Sequence, residues 1–257
     1  MQTHTTAPFR SSIMLGEPTA LRAPDRSGHE ERLPFVVRLV RTEEDLAKAV
    51  RVRQMAYARH MPAVAEKLHI PEATDLQQGV ALLLAESKVD GSPLGTARIQ
   101  TNRYAPLALE QSIDLPDWLK GKSLSHVSRL GVVQGGIGRL VKLMLFKGLY
   151  QYWLDNDIDW AVVAARTPLD TMYQQLLFQD LYPQQPYVPL AHMGNVPHRV
   201  MAFEVATANE RWTRAQHPLR NFMVLTRHVD LDVSDTPTRR TAVRHETREL
   251  EPLSYAA

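Results

Sequence analysis

SLSHVSRLGVVQGGIGRLVKLMLFKGLYQYWLDNDIDWAVVAA, residues 123–165, is the stretch that decides the fold. Residues 123–133 predict a β-strand, and a glycine-rich turn follows it. The next part predicts the strongest helix of the chain, because its apolar residues recur along one stripe. Residues 159–165 form a near-continuous apolar run, which is typical of a buried parallel strand. The stretch therefore predicts a strand–helix–strand unit with a right-handed crossover. The stripe consists of Ile137, Leu140, Val141, Met144, Leu145, Leu149, Tyr152 and Trp153.

Upstream of this unit, residues 35–41 predict a first strand with a helix after it. Thr42 can cap that helix through its side-chain oxygen, and the three acids that follow favour the positive end of the helix dipole. Pro62 ends the continuation of the helix.

Two further strands are predicted at residues 79–86 and 94–101. The Asp90-Gly91 turn between them indicates an antiparallel hairpin. Residues 102–122 contain prolines and predict irregular structure.

Downstream, residues 169–178 predict a short helix, and residues 209–216 predict a weaker one. Residues 200–206 and 221–233 predict late strands. This order of elements predicts an α/β fold in which helices cover both faces of a mixed central sheet.

Composition excludes several classes of protein. The chain has 257 residues, no cysteine and a formal net charge of only +2. That length allows one substantial core. The lack of cysteine excludes a disulfide framework, a thiolate nucleophile and cysteine-ligated zinc, and we expect no metal site. The small net charge gives no indication of nucleic-acid binding.

The two ends of the chain differ from its middle. Residues 1–33 and 236–257 are polar and rich in Thr, Arg and Pro, which predicts disordered tails around one domain at 34–235. The N-terminus has no apolar signal core, and no apolar run approaches the roughly 20 residues that cross a bilayer. We therefore expect a cytoplasmic protein without stable membrane insertion.

The turn at residues 134–139 is a candidate for phosphate binding. Gly135, Gly136 and Gly138 permit a tight turn and leave backbone N–H groups open at a helix N-terminus, where phosphate binds readily. Arg139 adds a positive charge. The spacing matches neither the GxxxxGK[ST] loop nor GxGxxG. A plain tight turn and a cofactor-binding turn therefore both remain open.

Several short segments resemble, in the same order, segments of a known family. They are VRQMAY (52–57), Asp75, GTAR (95–98), HVSRLGV (126–132), LFKGLY (145–150), MYQQLLF (172–178) and HPL (217–219). Together they resemble the long-chain N-acyl amino acid synthases, relatives of the acyl-homoserine lactone synthases within the GNAT superfamily. The resemblance covers roughly residues 35–233.

This resemblance implies a GNAT-like fold and direct acyl transfer. A long fatty acyl group would pass from a phosphopantetheine thioester, carried by acyl carrier protein or coenzyme A, to the amine of an amino acid. The thioester is a co-substrate, so no permanently bound cofactor is expected. The implied partners are the small-molecule amine and, as a candidate, acyl carrier protein. The pantetheine arm would enter between the strands at 123–133 and 159–165 as an added strand.

The resemblance also implies the catalytic residues. Where the family usually has a glutamate, this chain has His126, which can accept a proton because the ordinary pKa of histidine is about 6.5. His126 cannot hold an ammonium group through a fixed negative charge. Arg129 matches the arginine of the same segment. Tyr173 matches the tyrosine that can protonate the departing thiolate.

Further residues are implied in substrate binding, among them Asp75, which matches an acidic residue of the family. Arg98, with Arg129, can bind a carboxylate, although a structural salt bridge with an acid such as Asp75 is an equally open interpretation. Arg53 is expected to order its helix near the donor entrance. Backbone N–H groups near Leu130 and Val132 can stabilise an oxyanion. The expected walls of the acyl tunnel are Val132 and Val162.

Two other functions stay open. One is an acetyl-coenzyme A-dependent N-acetyltransferase of the GNAT type, and the other is a non-catalytic module that binds an acyl ligand or carrier. An apolar tunnel that ends deep in the sheet would favour a long acyl group, whereas a closed pocket would favour acetyl.

Overall fold

The computed structural model describes residues 30–191 and 195–234. The predicted disorder of 1–29 and 236–257 lies outside these residues. The last part of the predicted N-terminal tail is described: Glu30–Glu31 forms a short strand, and Leu33 is buried. Residues 30–33 therefore pack on the domain.

The described residues form a mixed α/β arrangement. The helices are α1 (Glu43–Ala58), α2 (Pro62–Ala65), α3 (Gly135–Asp155), α4 (Leu169–Gln175) and α5 (Ala208–Arg214). The strands are β1 (Glu30–Glu31), β2 (Phe35–Leu39), β3 (Val80–Ser87), β4 (Pro93–Thr101), β5 (Leu124–Val132), β6 (Trp160–Ala165), β7 (Gln179–Asp180), β8 (Tyr187–Leu190), β9 (Val196–Glu204), β10 (Arg227–His228) and β11 (Leu231–Asp232). Short 3₁₀ turns lie at Glu66–Leu68, Ala73–Leu76, Ala108–Gln111 and Asp117–Leu119.

One large sheet runs in the order β11-β2-β3-β4-β5-β6-β9-β7, and β8 also pairs with β9. From β2 to β5 each strand is antiparallel to the next, whereas β5 and β6 run parallel, as do β11 and β2. The predicted hairpin, the parallel pair around α3 and the mixed sheet are thus confirmed. The strand β1 pairs separately with β10.

Helices cover both faces of the sheet, as predicted. A side chain at Gly131 of β5 would meet Ala56 of α1 at 2.9 Å. A side chain at Gly95, on the neighbouring strand β4, would meet Val141 of α3 at 2.6 Å. These two glycines therefore let α1 and α3 approach the sheet closely from opposite sides. The start of α1 is fixed by Thr42, whose hydroxyl accepts a 3.1 Å hydrogen bond from the Asp45 N–H.

The core has two main parts. Under α3, α4 and α5, the apolar side chains of the sheet form a large cluster that includes Leu145, Trp153 and Phe203. A second cluster lies over β5, β6 and β9, beneath the irregular segment 107–119, and contains Leu109, Leu119 and other apolar residues. This segment is irregular as predicted, yet Leu107, Leu109 and Leu119 are fully buried. The segment therefore covers one face of the sheet.

The prediction for residues 221–233 is wrong in part. Asn221–Leu225 forms a π-helical turn, and only the two-residue strands β10 and β11 follow it. The ammonium group of Lys147 on α3 donates hydrogen bonds to the carbonyl oxygen of Phe222, in this turn, and to that of Thr226, directly after it. These contacts with a buried cation are tertiary, so local strand propensity does not register them. The strands β7 and β8 were not predicted.

Within the described residues, no helix is long and apolar enough to cross a membrane.

Candidate active site

The parallel strands β5 and β6 separate at their C-terminal ends. They pair from Leu124 opposite Trp160 as far as Val127 opposite Val163. Over the rest of both strands, all of it described, they share no further pair. β5 continues for five more residues, paired with β4 alone. An open slot therefore exists between β5 and β6, at the place where the sequence predicts one.

A bulge shapes the edge of this slot. Ser128 pairs with Arg98 and Gly131 with Thr96, so two residues of β5, Arg129 and Leu130, lie opposite a single residue of β4. Arg129 has a φ of 56°, an uncommon conformation for a residue with a side chain. Such a bulge re-aims side chains along the bulged strand. As a result, His126 and Arg129, which an unbulged strand would point to opposite faces, both line the same cavity.

The cavity at the slot has a volume of about 80 Å³. It reaches from the α1 face of the sheet to α4 on the other face. Its lining residues are Tyr57, Arg98, Gln100, Ala108, His126, Val127, Ser128, Arg129, Leu130, Ala164, Leu169 and Tyr173. Three residues predicted as catalytic, His126, Arg129 and Tyr173, therefore meet at one cavity.

Beside the cavity lies a buried cluster of three arginines and two acids. The guanidinium of Arg53 donates two hydrogen bonds, of 2.9 and 2.8 Å, to the carboxylate of Asp75. Arg98 donates to Glu72 at 3.0 Å and to Asp75 at 3.1 Å. Arg129 donates to both oxygens of Glu72, at 2.7 and 2.6 Å. The five groups thus form one connected network, which we call the arginine cluster.

The arginine cluster keeps its acids ionised. Burial acts to raise the pKa of Asp75, but the hydrogen bonds and charge of Arg53 outweigh burial, so this pKa lies below its ordinary value. Burial also opposes ionisation of Glu72, yet Arg129 and Arg98 hold its pKa below the ordinary value. Three positive charges face two negative charges within the cluster, which leaves one positive charge in excess.

The members of the cluster differ in their access to the cavity. Arg98 and Arg129 line it, whereas Arg53 and Asp75 do not. Arg53 is 1% exposed, and its pair with Asp75 joins α1 to the segment before β3. Arg98 also donates from Nε to the Ser128 hydroxyl at 3.1 Å, which fixes its side chain along β5. Arg98 is therefore salt-bridged to Asp75, and it also faces the cavity, so carboxylate binding by Arg98 stays a prediction.

His126 lies at the centre of the sheet. It is 4% exposed, and it pairs with Gln100 of β4 on one side and with Val162 of β6 on the other. Its side chain lines the cavity at the last paired position before the slot opens. A proton acceptor at this position faces whatever group enters the slot.

Tyr173 reaches the cavity from the opposite face. It lies on α4, is 2% exposed, and packs edge-on against Phe146 with 5.3 Å between ring centres. Burial raises the pKa of its phenol, so the hydroxyl keeps its proton and acts as a hydrogen-bond donor.

The predicted walls of the acyl tunnel lie outside the present cavity. Leu130 lines it, but Val132 and Val162 do not. The side chain of Val132 packs beside Gly95 on the α3 face. Val162 is fully buried in the second apolar cluster, under the segment 107–119.

The glycine-rich turn forms the first turn of α3. Gln134, Gly135, Gly136 and Arg139 are exposed at this helix end, and Gly135 has a φ of 83°. Gly138 is buried, and a side chain there would lie 1.8 Å from the Val133 carbonyl oxygen. The turn therefore presents open backbone at the C-terminal end of β5, near the mouth of the slot.

Sequence reasoning missed three residues of the site: Glu72, Tyr57 and Gln100. Glu72 and Asp75 form a reciprocal cap around one 3₁₀ turn, in which Asp75 accepts a 2.8 Å hydrogen bond from the Glu72 N–H. The acid–x–x–acid spacing after Pro71 is the signal that indicates this turn. The guanidinium carbon of Arg129 lies over the Tyr57 ring, 5.9 Å from the ring centre.

A mixed sheet with a bulged central strand and a slot between parallel strands defines a GNAT-like fold, which confirms the predicted fold class. No protein-family model matches the chain, and no curated protein matches it. Solved structures do match. The structure of FeeM, an N-acyl amino acid synthase from uncultured soil microbes, has a TM-score of 0.54 and 20% identity, over 74% of this chain and 97% of that chain.

A second similar structure is BjaI, a coenzyme A-dependent acyl-homoserine lactone synthase in complex with MTA. Its TM-score is 0.50 at 14% identity, over 76% of this chain and 93% of that chain. At these identities the likeness shows the fold. The resemblance found in the sequence is therefore confirmed at the level of the fold, across most of the chain.

Proposed function

We propose that this protein is an N-acyltransferase that moves an acyl group from a phosphopantetheine thioester to the amine of an amino acid. The observation that carries the proposal is the slot between β5 and β6, where His126, Arg98 and Tyr173 line one cavity. A thioester that enters the slot meets a proton acceptor on one side and a phenol on the other.

The donor binds along the free edge of β5. Beyond Val127 this edge has no partner strand among the described residues, so its N–H and C=O groups can pair with the amides of a pantetheine arm. The phosphate of the donor lies at the first turn of α3, where Gly135, Gly136 and Arg139 are exposed and the helix dipole favours an anion. Both coenzyme A and acyl carrier protein supply this arm and this phosphate.

The reaction is a direct displacement. The free amine attacks the thioester carbonyl carbon, the C–N bond forms, and the C–S bond breaks. His126 accepts the proton that the nitrogen loses. Backbone N–H groups of the bulged edge at Leu130–Val132 stabilise the oxyanion. Tyr173 donates a hydrogen bond to the departing thiolate. The protonated His126 then gives its proton to this thiolate, which leaves as a thiol.

The arginine cluster favours an acceptor that carries a carboxylate. Its excess positive charge lies beside the cavity, and Arg98 and Arg129 both face the cavity. A guanidinium binds a carboxylate with good geometry, and burial strengthens the attraction. An amino acid satisfies this condition with its own carboxylate while its amine points to His126.

The acyl chain occupies the second apolar cluster. The cavity of about 80 Å³ is far smaller than the roughly 300–1,000 Å³ of pockets that enclose larger ligands. A long chain therefore requires the segment 107–119 to move away from Val162. The same small volume supports a second candidate function, acetyl transfer from acetyl-coenzyme A, since an acetyl group needs no such movement.

Turnover tests both candidates. The protein is incubated with acyl-coenzyme A or acyl carrier protein thioesters from two carbons to a long chain, together with a mixture of amino acids, and products are identified by mass spectrometry. We expect N-acyl amino acids from long-chain donors. His126→Ala should lower kcat by at least about a hundredfold, since general base catalysis contributes that much. His60→Ala, at an exposed position just after α1, is the matched control.

Three results would change this conclusion. Product from acetyl donors alone would favour the second candidate. Donor binding without any product would favour a non-catalytic module. Equal activity of the His126→Ala variant and the wild type would exclude His126 as the base.

A further inference from the structure

Arg59 lies directly after α1, at the open end of the slot. Its Nη2 donates a 2.6 Å hydrogen bond to the carbonyl oxygen of Val132. The side chain is exposed, and within the described residues no carboxylate lies in ion-pair range of it. A full positive charge therefore pairs with a neutral backbone group at the surface.

The Val132 carbonyl faces the slot. The Val133 N–H donates to the Leu94 carbonyl at 2.9 Å, so the polar groups of Val133 point to β4. Polar groups of successive residues point to opposite edges of a strand. Those of Val132 therefore point away from β4, to the side where β5 has no partner. Arg59 thus occupies an acceptor on the free edge.

The pantetheine arm needs the same acceptor. This step rests on the proposed function, in which the arm pairs with the free edge of β5. The amide N–H groups of the arm require backbone carbonyls, and the Val132 carbonyl is one that the edge presents. While Arg59 holds this oxygen, the arm cannot use it.

A better partner for Arg59 comes with the donor. Val132 and Gly135 are three positions apart, which places the first turn of α3 within about 11 Å of the Val132 carbonyl. An arginine side chain attached beside the slot spans most of that distance. A phosphate at the turn would offer Arg59 an opposite charge and two oxygens that fit the guanidinium fork, whereas a neutral carbonyl offers neither.

We propose that Arg59 is the residue that selects phosphate-bearing donors. It pairs with the Val132 carbonyl before the donor binds, and it leaves this oxygen to the pantetheine arm while its guanidinium moves to the donor phosphate. A thioester without the phosphate has to displace Arg59 and offers no charged partner in return. The exchange therefore raises the affinity for phosphopantetheine donors over simpler thioesters.

Two donors that differ by one group test the proposal: S-acyl phosphopantetheine and S-acyl pantetheine with the same acyl chain. Arg59→Gln should lower kcat/KM for the phosphorylated donor about tenfold, through KM, because it removes a charge-assisted bond. For the donor without phosphate, kcat/KM should stay unchanged or rise, because the Val132 carbonyl is released. Arg51→Gln, which removes the same charge from an exposed position of α1, should affect neither donor.

An equal loss with both donors, or no loss with either, would overturn the role of Arg59. Calorimetric binding of coenzyme A separates this outcome from failure of the proposed function. If wild type binds coenzyme A and Arg59→Gln binds it more weakly, but no thioester is turned over, the recognition role stands and the acyltransfer proposal fails. If thioesters are turned over and the variant discriminates between the two donors as wild type does, only the role of Arg59 fails.

Discussion

At the scale of single residues, a buried network of charge pairs lies beside the cavity. The arginine cluster places three guanidinium groups against two acids in a largely buried position. Removing one partner of such a buried pair leaves an uncompensated charge, which costs about 3–5 kcal/mol. Arg53, at 1% exposure, has the least access to water of the three arginines.

Replacing Asp75 should therefore reduce stability. We expect Asp75→Asn to lower the free energy of unfolding by about 3–5 kcal/mol, because Arg53 loses its charged partner. Asp117→Asn breaks the fully exposed pair with Lys120 and should leave stability unchanged. Urea unfolding at pH 7 measures both variants. Similar stability of Asp75→Asn and wild type would contradict the role given to this pair.

The same acids predict how stability depends on pH. The folded-state pKa values of Glu72 and Asp75 are lowered below 4.5 and 3.8. Their contribution is complete above these ordinary values and is lost as the pH falls through the lower, folded-state values. The stability difference between wild type and Asp75→Asn should therefore shrink below about pH 4. A difference that stays constant down to pH 2 would argue against it.

Only part of this cluster is predictable from residue patterns. Arg53, Asp75, Arg98 and Arg129 are found because they lie in recognisable segments. Glu72 is not, because its position depends on how the segment before β3 packs against α1, which is a tertiary property. Local sequence identifies the arginines, Asp75 and the turn at residues 72–75, but it does not show that Glu72 joins Arg98 to Arg129.

At the scale of elements, the contact between β5 and α3 fixes the mouth of the slot. Strands and helices of the central unit are predictable because their apolar patterns are local. The bulge at Arg129 is not, because it depends on the register between β4 and β5, which pairs residues far apart in sequence. The tight turn that contains Gly138 is predictable, but its close approach to the Val133 carbonyl is seen only in the structure.

Alanine substitutions at two glycines of the same turn should affect stability differently. A side chain at Gly138 would overlap the Val133 carbonyl at 1.8 Å, whereas at Gly136 the nearest atom is the end of the Arg139 side chain at 3.8 Å. We expect Gly138→Ala to lower the free energy of unfolding by about 1–3 kcal/mol or more, because backbone must move. Gly136→Ala should be neutral or stabilise by less than about 1 kcal/mol. Equal urea midpoints for the two variants would contradict this geometry.

At the scale of the whole molecule, α3 joins the two ends of the described chain. Lys147, in the middle of this helix, is 5% exposed and donates to the Phe222 and Thr226 carbonyls. Its Nζ also lies 2.9 Å from Nδ1 of His228, and Nε2 of His228 lies 3.3 Å from a carboxylate oxygen of Glu31. The segments around β1 and β10 therefore meet over one buried lysine. Strand propensity in 221–233 gave the wrong prediction because it does not register this distant cation.

Lys147 should make the free energy of unfolding depend on pH above neutrality. Burial lowers the pKa of Lys147 to about 8, against an ordinary 10.5. Between these values the unfolded chain binds more protons than the folded chain, so the contribution of Lys147 to stability rises with pH. The titration of His228, whose pKa is also lowered, lies below this window. Urea unfolding at pH 7.5, 8.5 and 9.5 should show that the free energy of unfolding of wild type rises relative to that of Lys147→Met. The control Lys122→Met, at an exposed position, should keep a constant difference from wild type. The same pH dependence in wild type and Lys147→Met would mean that Lys147 titrates alike in the folded and the unfolded chain. The segments around β1 and β10 would then not meet over a desolvated cation.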